Sequence, residues 1–288
     1  MRARMKRRQR IRRITIVGTI LIVGVSLAVG IYLVSTAQSP LAPKIGTLVA
    51  SPDMASLYSS SLVVPYGQPP DNATLHSVIS STGSPYLSGT KPIVVYIGAE
   101  FCPYCAAERW PLIISLMRFG NFSNLHYTLS SGSDVYPNSP TFTFVGSTYT
   151  SKYVVFQPYE NEDRNRNPLQ SVPSNYSAPW QAHGAGYPFL NFGNRYISPG
   201  STVSNTISGE NWTQVLRGIA SGDSFGLQVK KSANLMTSLI CKLTDSQPSR
   251  VCHTYPIATT SSGIAAPTVA RVGIVSVPSR ASVSRNEG

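Results

Sequence analysis

Cys102-Pro103-Tyr104-Cys105 sets two thiols three positions apart, directly after the apolar run Ile93-Val94-Val95-Tyr96-Ile97 and at the head of a segment with helical apolar spacing. A strand that runs into a cysteine and then a helix puts Cys102 at the helix N-terminus. Unpaired N–H groups and the macrodipole there favour a thiolate and lower its pKa. Pro103 suits the first turn, where its missing N–H is not needed. Cys105, one turn on, is within reach to close a small disulfide ring. An exposed, acidic attacking thiol beside a resolving thiol meets the requirements of thiol–disulfide exchange. The same spacing also serves a fixed disulfide, half of a zinc site, or a copper(I) or zinc carrier. Cys241, Cys252 and His253 are the remaining soft ligands, and their C-x10-C-H spacing fits no usual zinc pattern. We therefore expect no metal and no cofactor beyond the dithiol. Cys241 and Cys252 are expected to form a structural disulfide, with Thr244–Pro248 giving the chain room to fold back, and a second redox pair as the alternative.

The elements that position the first pair follow from periodicity. Ile93–Ile97 predicts a fully buried strand, and Pro103–Phe119 a helix carrying Trp110, Ile113, Ile114 and Met117. Leu125–Leu129 reads as a strand. Thr141–Val145 and Tyr153–Phe156 read as a β-hairpin turning at Gly146-Ser147. Glu160–Gly186 is polar and rich in Pro and Gly, a long loop or lid. Tyr187–Phe192 is the next strand, with Arg195–Ile197 its hairpin partner across Gly193-Asn194. Trp212, Val215, Leu216 and Ile219 mark a helix, and Leu227–Leu243 a second. Ahead of these, Pro52 and Asp71-Asn72 start two short helices. Beyond Pro256 there is no aromatic residue, and a disordered tail is expected, with Val269–Val277 a strand alternative.

The formal charge of +12 does not point to nucleic acid. Eight of the 24 basic side chains lie between Arg2 and Arg13, leaving 16 basic against 12 acidic over the rest. That is an ordinary surface. The uncharged run 14–34 is about 31 Å long as a helix, close to the thickness of a bilayer core, and predicts a transmembrane signal anchor. A cleaved signal peptide is the alternative, with Ser35-Thr36-Ala37 the small residues for cleavage. Either way the basic flank stays cytoplasmic and the rest is exported. Sequons at Asn72, Asn121, Asn175 and Asn211 agree with that side.

Ala99-Glu100-Phe101-Cys102-Pro103-Tyr104-Cys105 resembles the active-site segment of the thioredoxin superfamily, and its Pro-Tyr pair resembles that of glutaredoxins. The longer stretch Tyr96–Trp110 is similar to an archaeal family catalogued as domain of unknown function 929, with the likeness running from about Ser51 to His253. Pro111 resembles the kinking proline of thioredoxins. The resemblance implies a cis-proline facing the dithiol, whose loop backbone would hold a substrate strand. Pro140 and Pro188 both qualify, and Tyr187-Pro188 is preferred because a hairpin and a helix follow it. Thioredoxins carry a buried acid where Tyr96 stands, so proton removal from Cys105 would fall to Glu100 or Glu108. A solvated helix-surface carboxylate is the alternative for Glu108.

The sequence thus predicts an α/β, thioredoxin-like fold, a central mixed sheet flanked by helices, with an inserted β-hairpin and loop. Its order is a basic tail (1–13), the anchor (14–34), an extension (35–90), the main domain (91–255, insertion about 130–186) and a tail (256–288). The expected activity is that of a membrane-anchored, extracytoplasmic thiol–disulfide oxidoreductase. Its partners would be cysteine-containing exported proteins, a membrane redox partner, and the bilayer through 14–34. A redox-inactive surface binding module and a soft-metal carrier are the rival readings.

Overall fold

The computed structural model describes residues 15–27, 41–62 and 69–264. Residues 51–88 form helices α1 (Ser51–Leu62) and α2 (Asn72–His76), followed by the short strands β1 (Ile79–Ser80) and β2 (Leu87–Ser88) at the edges of the sheet. Asp71 caps α2 by accepting the Thr74 N–H at 2.9 Å. Strand β3 (Lys91–Gly98) runs into helix α3 (Pro103–Met117), which starts at the dithiol. Four short strands follow: β4 (Gly120–Ser123), β5 (His126–Leu129), β6 (Pro140–Thr143) and β7 (Thr148–Ser151). The chain then returns to the main sheet as β8 (Val155–Glu160) and crosses it as helix α4 (Ser174–Ala182). It closes with β9 (Phe189–Phe192), β10 (Tyr196–Ser198), and helices α5 (Trp212–Ser221), α6 (Ser224–Leu243), α7 (Ser249–Cys252) and α8 (Ile257–Gly263).

The central sheet has the order β1-β10-β9-β3-β8, with β2 paired to the start of β3. Strand β8 is parallel to β3, and β9 and β10 run antiparallel. It is a mixed sheet flanked by helices. Alternation along β3 explains why the whole strand is apolar: Val94 and Tyr96 enter the larger core, where α3 and α6 pack. Ile93, Val95 and Ile97 face the other side, under Tyr176 and Trp180 of α4. The tight turn between β9 and β10 needs left-handed backbone at two successive residues, supplied by Gly193 (φ 62°) and Asn194 (φ 55°). Helix α5 opens with a capping box, Asn211 Oδ1 taking the Gln214 N–H and Gln214 Oε1 taking the Asn211 N–H.

Several expectations are corrected. Within 14–34 the described helix covers residues 15–27, about 20 Å at 1.5 Å per residue. Among the described residues no helix is long and apolar enough to cross a membrane. A single-pass protein with a cytoplasmic N-terminus and an extracytoplasmic main domain is therefore not supported. The basic segment 1–13, residue 14 and residues 28–34 lie outside the described residues.

Thr141–Val145 and Tyr153–Phe156 do not pair with each other. Strand β6 pairs with β5, β7 with β4, and β8 goes to β3. The turn after Phe144 forms, but it delivers the chain to β7. Aromatic packing decides the partner: Phe142 sits edge-on to Trp110 at 4.8 Å, and the Trp110 indole N–H donates to the Pro140 carbonyl at 3.1 Å. Glu160–Gly186 is not a free loop, since it contains α4 and is tied to the motif, as described below. Residues 257–263, assigned by the sequence to the tail, form α8, with Ile257 buried and its carbonyl accepting the Ser238 hydroxyl at 3.3 Å. Val269–Val277 lies outside the described residues.

Candidate active site

Cys102 is the N-cap of α3, and its Sγ accepts the Cys105 backbone N–H at 3.2 Å. The side that faces the rest of the fold is closed by the loop before β9: the Tyr187–Pro188 bond is cis, and the Tyr187 carbonyl lies 4.0 Å from Cys102 Sγ. Pro140, the other proline weighed, starts β6 and has no cis bond. Both cysteines are free thiols. Cys102 is 5 % exposed, less than an attacking thiol was expected to be, because Phe101 and Tyr187 close over it. Cys105 is fully buried.

The two thiols are driven apart electrostatically. Cys102 is lowered below the usual thiol range, first by the hydrogen bond it shares with the Cys105 thiol, then by backbone N–H groups and the charge of Arg109, all against the penalty of burial. Burial pushes Cys105 well up, and the neighbouring Cys102 adds to it. This is the asymmetry of an attacking and a resolving thiol.

Beneath the pair lies a buried ion pair that sequence reasoning missed. Arg109, one turn beyond Cys105, donates Nε–H to Glu160 Oε1 at 2.9 Å and Nη2–H to Oε2 at 2.6 Å. Nη2 also donates to the Ala99 carbonyl at 3.0 Å. Neither side chain is exposed. Burial alone would weaken the charge on Arg109, but Glu160 holds it well above its ordinary range, so the cation is permanent. The available signals were a lone arginine in an apolar helix at i+4 from Cys105 and an acid closing an apolar strand.

The two carboxylates proposed for proton removal have other partners. Glu108 is fully buried, and its carboxylate accepts from the Ser201 hydroxyl (3.0 Å), the Thr202 N–H (2.8 Å) and the Thr202 hydroxyl (2.9 Å). It anchors the 199–205 loop to α3 and is not solvated. Burial pushes it up to about 7, against those hydrogen bonds. Glu100 is half-buried and raised first by desolvation, with the Thr143 hydroxyl supporting its charged form. Its backbone N–H donates to the Glu162 carbonyl at 2.9 Å, and Asn161 N–H donates to Gly98 at 2.7 Å, so the polar 160–168 segment straps the motif in place.

The rim is aromatic. Tyr104, 43 % exposed, meets Tyr136 edge-on at 5.9 Å. Tyr187 is stacked on Trp180 at 5.5 Å, and its hydroxyl accepts from Asn161 Nδ2 at 2.5 Å. The Arg166 guanidinium lies 3.7 Å over the Phe101 ring. From behind, Asn205 Nδ2 donates to the Pro103 carbonyl at 2.6 Å, fixing the turn between the cysteines.

Cys241 and Cys252 form a disulfide with a Cα–Cα distance of 5.5 Å, joining the last turn of α6 to α7. Among the described residues no group of three or more His, Cys, Asp or Glu side chains is placed to hold a metal ion.

Residues 78–178 match the family model described as "Domain of unknown function (DUF929)". The match spans β3, the dithiol and α3, in agreement with the motif resemblance, over a shorter stretch than Ser51 to His253. No curated protein and no solved structure matches the chain.

Proposed function

We propose that a chain carrying this domain is a protein thiol–disulfide oxidoreductase of thioredoxin-like fold, working through Cys102 and Cys105. The observation that carries the reading is the pairing of a lowered thiol at a helix N-terminus with a buried, raised thiol one turn later, under a backbone carbonyl from a separate loop. Strand topology supports the fold assignment: β3, α3, parallel β8, α4, antiparallel β9 and β10, then helices, is the order a thioredoxin-like core requires.

The Cys102 thiolate attacks one sulfur of a substrate disulfide, forming a mixed disulfide and releasing a substrate thiolate. Cys105 gives its proton to that thiolate and attacks Cys102 Sγ. The mixed disulfide breaks, the second substrate sulfur leaves with the electron pair, and it takes up the proton Cys102 had shed. Two electrons and two protons reach the substrate, and the dithiol becomes a disulfide; the reverse direction oxidises a substrate. Substrates are cysteine-containing proteins, held by the Tyr187-Pro188 backbone. Incubating the full chain of Cys105→Ser with disulfide-containing protein should accumulate a mixed disulfide on Cys102. Absence of any adduct, with Cys102 unreactive to alkylating reagents in the folded protein, would overturn the reading.

A further inference from the structure

Four buried side-chain polar atoms among the described residues have no hydrogen-bond partner, and two of them, Tyr96 Oη and Arg109 Nη1, belong to one cluster beneath the dithiol. The Arg109 guanidinium lies 5.7 Å from the centre of the Tyr96 ring. Its Nη2 reaches the Ala99 carbonyl, which also takes the Cys102 N–H at 3.3 Å. The Tyr96 hydroxyl ends beside Gly98, where a Cβ would come within 2.1 Å of it. That glycine clears the place the hydroxyl occupies, at the end of β3 where the chain turns into the motif.

A buried donor left unpaired costs about 1–3 kcal/mol, so two in one cluster need a reason. With both thiols protonated, the anion in the cluster is Glu160, and it takes Nε–H and Nη2–H of Arg109, not Nη1 or the Tyr96 hydroxyl. Exchange creates another, the Cys105 thiolate, in the least solvated position of the pair. The charges of four ionisable groups act on that sulfur: Cys102 and Arg109 from α3, Tyr96 from β3, and Tyr187 from the loop before β9. Glu160 from β8 reaches the cluster through Arg109. Arg109 is the one fixed positive charge among them.

We propose that Arg109 and Tyr96 are positioning residues that hold the Cys105 thiolate during the resolving step, with Glu160 fixing the guanidinium while leaving Nη1 free. This rests on the reading of the dithiol as an exchange site. The cation and the hydroxyl do the work that a buried carboxylate would do by taking a proton: they lower the cost of the thiolate and leave its proton to the departing substrate sulfur.

The test is a single turnover of the reduced full chain with glutathione disulfide, quenched in acid and read by mass. It separates formation of the Cys102 adduct from its resolution by Cys105. Tyr96→Phe, which removes one oxygen, should slow resolution about tenfold and move its pH profile up by about one unit, with adduct formation changed less. Arg109→Met/Glu160→Gln, which avoids leaving Glu160 unpaired, should do the same more strongly, and Arg109→Lys should recover part of the rate. A merely structural role would leave the pH profile of resolution unmoved. Wild-type resolution and an unshifted profile in Tyr96→Phe would overturn the inference, whatever the fate of the double variant. An unmodified protein that forms no resolvable adduct would overturn the exchange reading as well, so the two failures are distinct.

Discussion

The chain holds two cysteine pairs, each tied to the end of a helix, and the ends are opposite. Cys102 caps the N-terminus of α3, accepts a backbone N–H and lies near a permanent cation. Cys241 lies in the last turn of α6, at the carbonyl end, where the dipole works against a thiolate. The first pair is three residues apart and reduced; the second is 11 apart and closed. Both are buried, so burial is not what separates the two pairs. Helix polarity and the nearest fixed charge are. A thiolate at Cys102 is stabilised and leaves readily, whereas reduction at Cys241 would generate an anion against an unfavourable field.

The largest expected effect lies in activity. Cys102→Ser should bring disulfide exchange with a test protein down to background, a loss of at least about a thousandfold. Cys241→Ala/Cys252→Ala should retain most of it. Equal loss in both variants would erase the distinction between the pairs.

Glu108 supplies a control on the same helix. Its folded-state pKa of about 7 stands above the ordinary 4.5, so the folded chain binds the proton more tightly than the unfolded one. The stability that Glu108 contributes is therefore full below about pH 4.5 and is lost as pH rises through about 7, by roughly 3 kcal/mol. Chemical denaturation across that window should show the decline, and Glu108→Gln should flatten it. The thiol-exchange pH profile should not move, because Glu108 bonds to the 201–202 backbone and hydroxyls and not to the cysteines. A shifted profile would restore Glu108 as a proton-transfer group.

Removing the staple has a smaller effect. Cys241→Ala/Cys252→Ala should cost about 2–3 kcal/mol of stability, the loop-closure entropy of so short a ring. Smallest is a cap without chemistry. Asn211→Ala at the start of α5 should cost about 1 kcal/mol in denaturant unfolding and leave exchange untouched. That would sharpen the point that an N-cap becomes a reactive site through its side chain and not its position alone.

The local parts of the site were legible in the sequence. A five-residue apolar run, a cysteine and an amphipathic repeat place Cys102 at a helix start, and proline followed by a Gly-Asn turn and a helix singles out Pro188. Long-range pairings were not. Arg109 and Glu160 are 51 residues apart, and nothing in either segment names the other. Strands β4 to β7 pair by aromatic burial around Trp110, Phe122 and Phe142 across the crossover, while turn chemistry at Gly146-Ser147 suggests the simpler hairpin. For the run 14–34 the described residues are 15–27, and among the described residues no helix is long and apolar enough to cross a membrane.

The most direct test of the central claim is a redox titration of the full chain in thiol/disulfide buffers, counting alkylated cysteines by mass. The account predicts that Cys102 and Cys105 titrate reversibly as one pair while Cys241–Cys252 stays oxidised throughout. A first pair that stays locked until the protein unfolds, or reduction of Cys241–Cys252 ahead of it, would contradict the account.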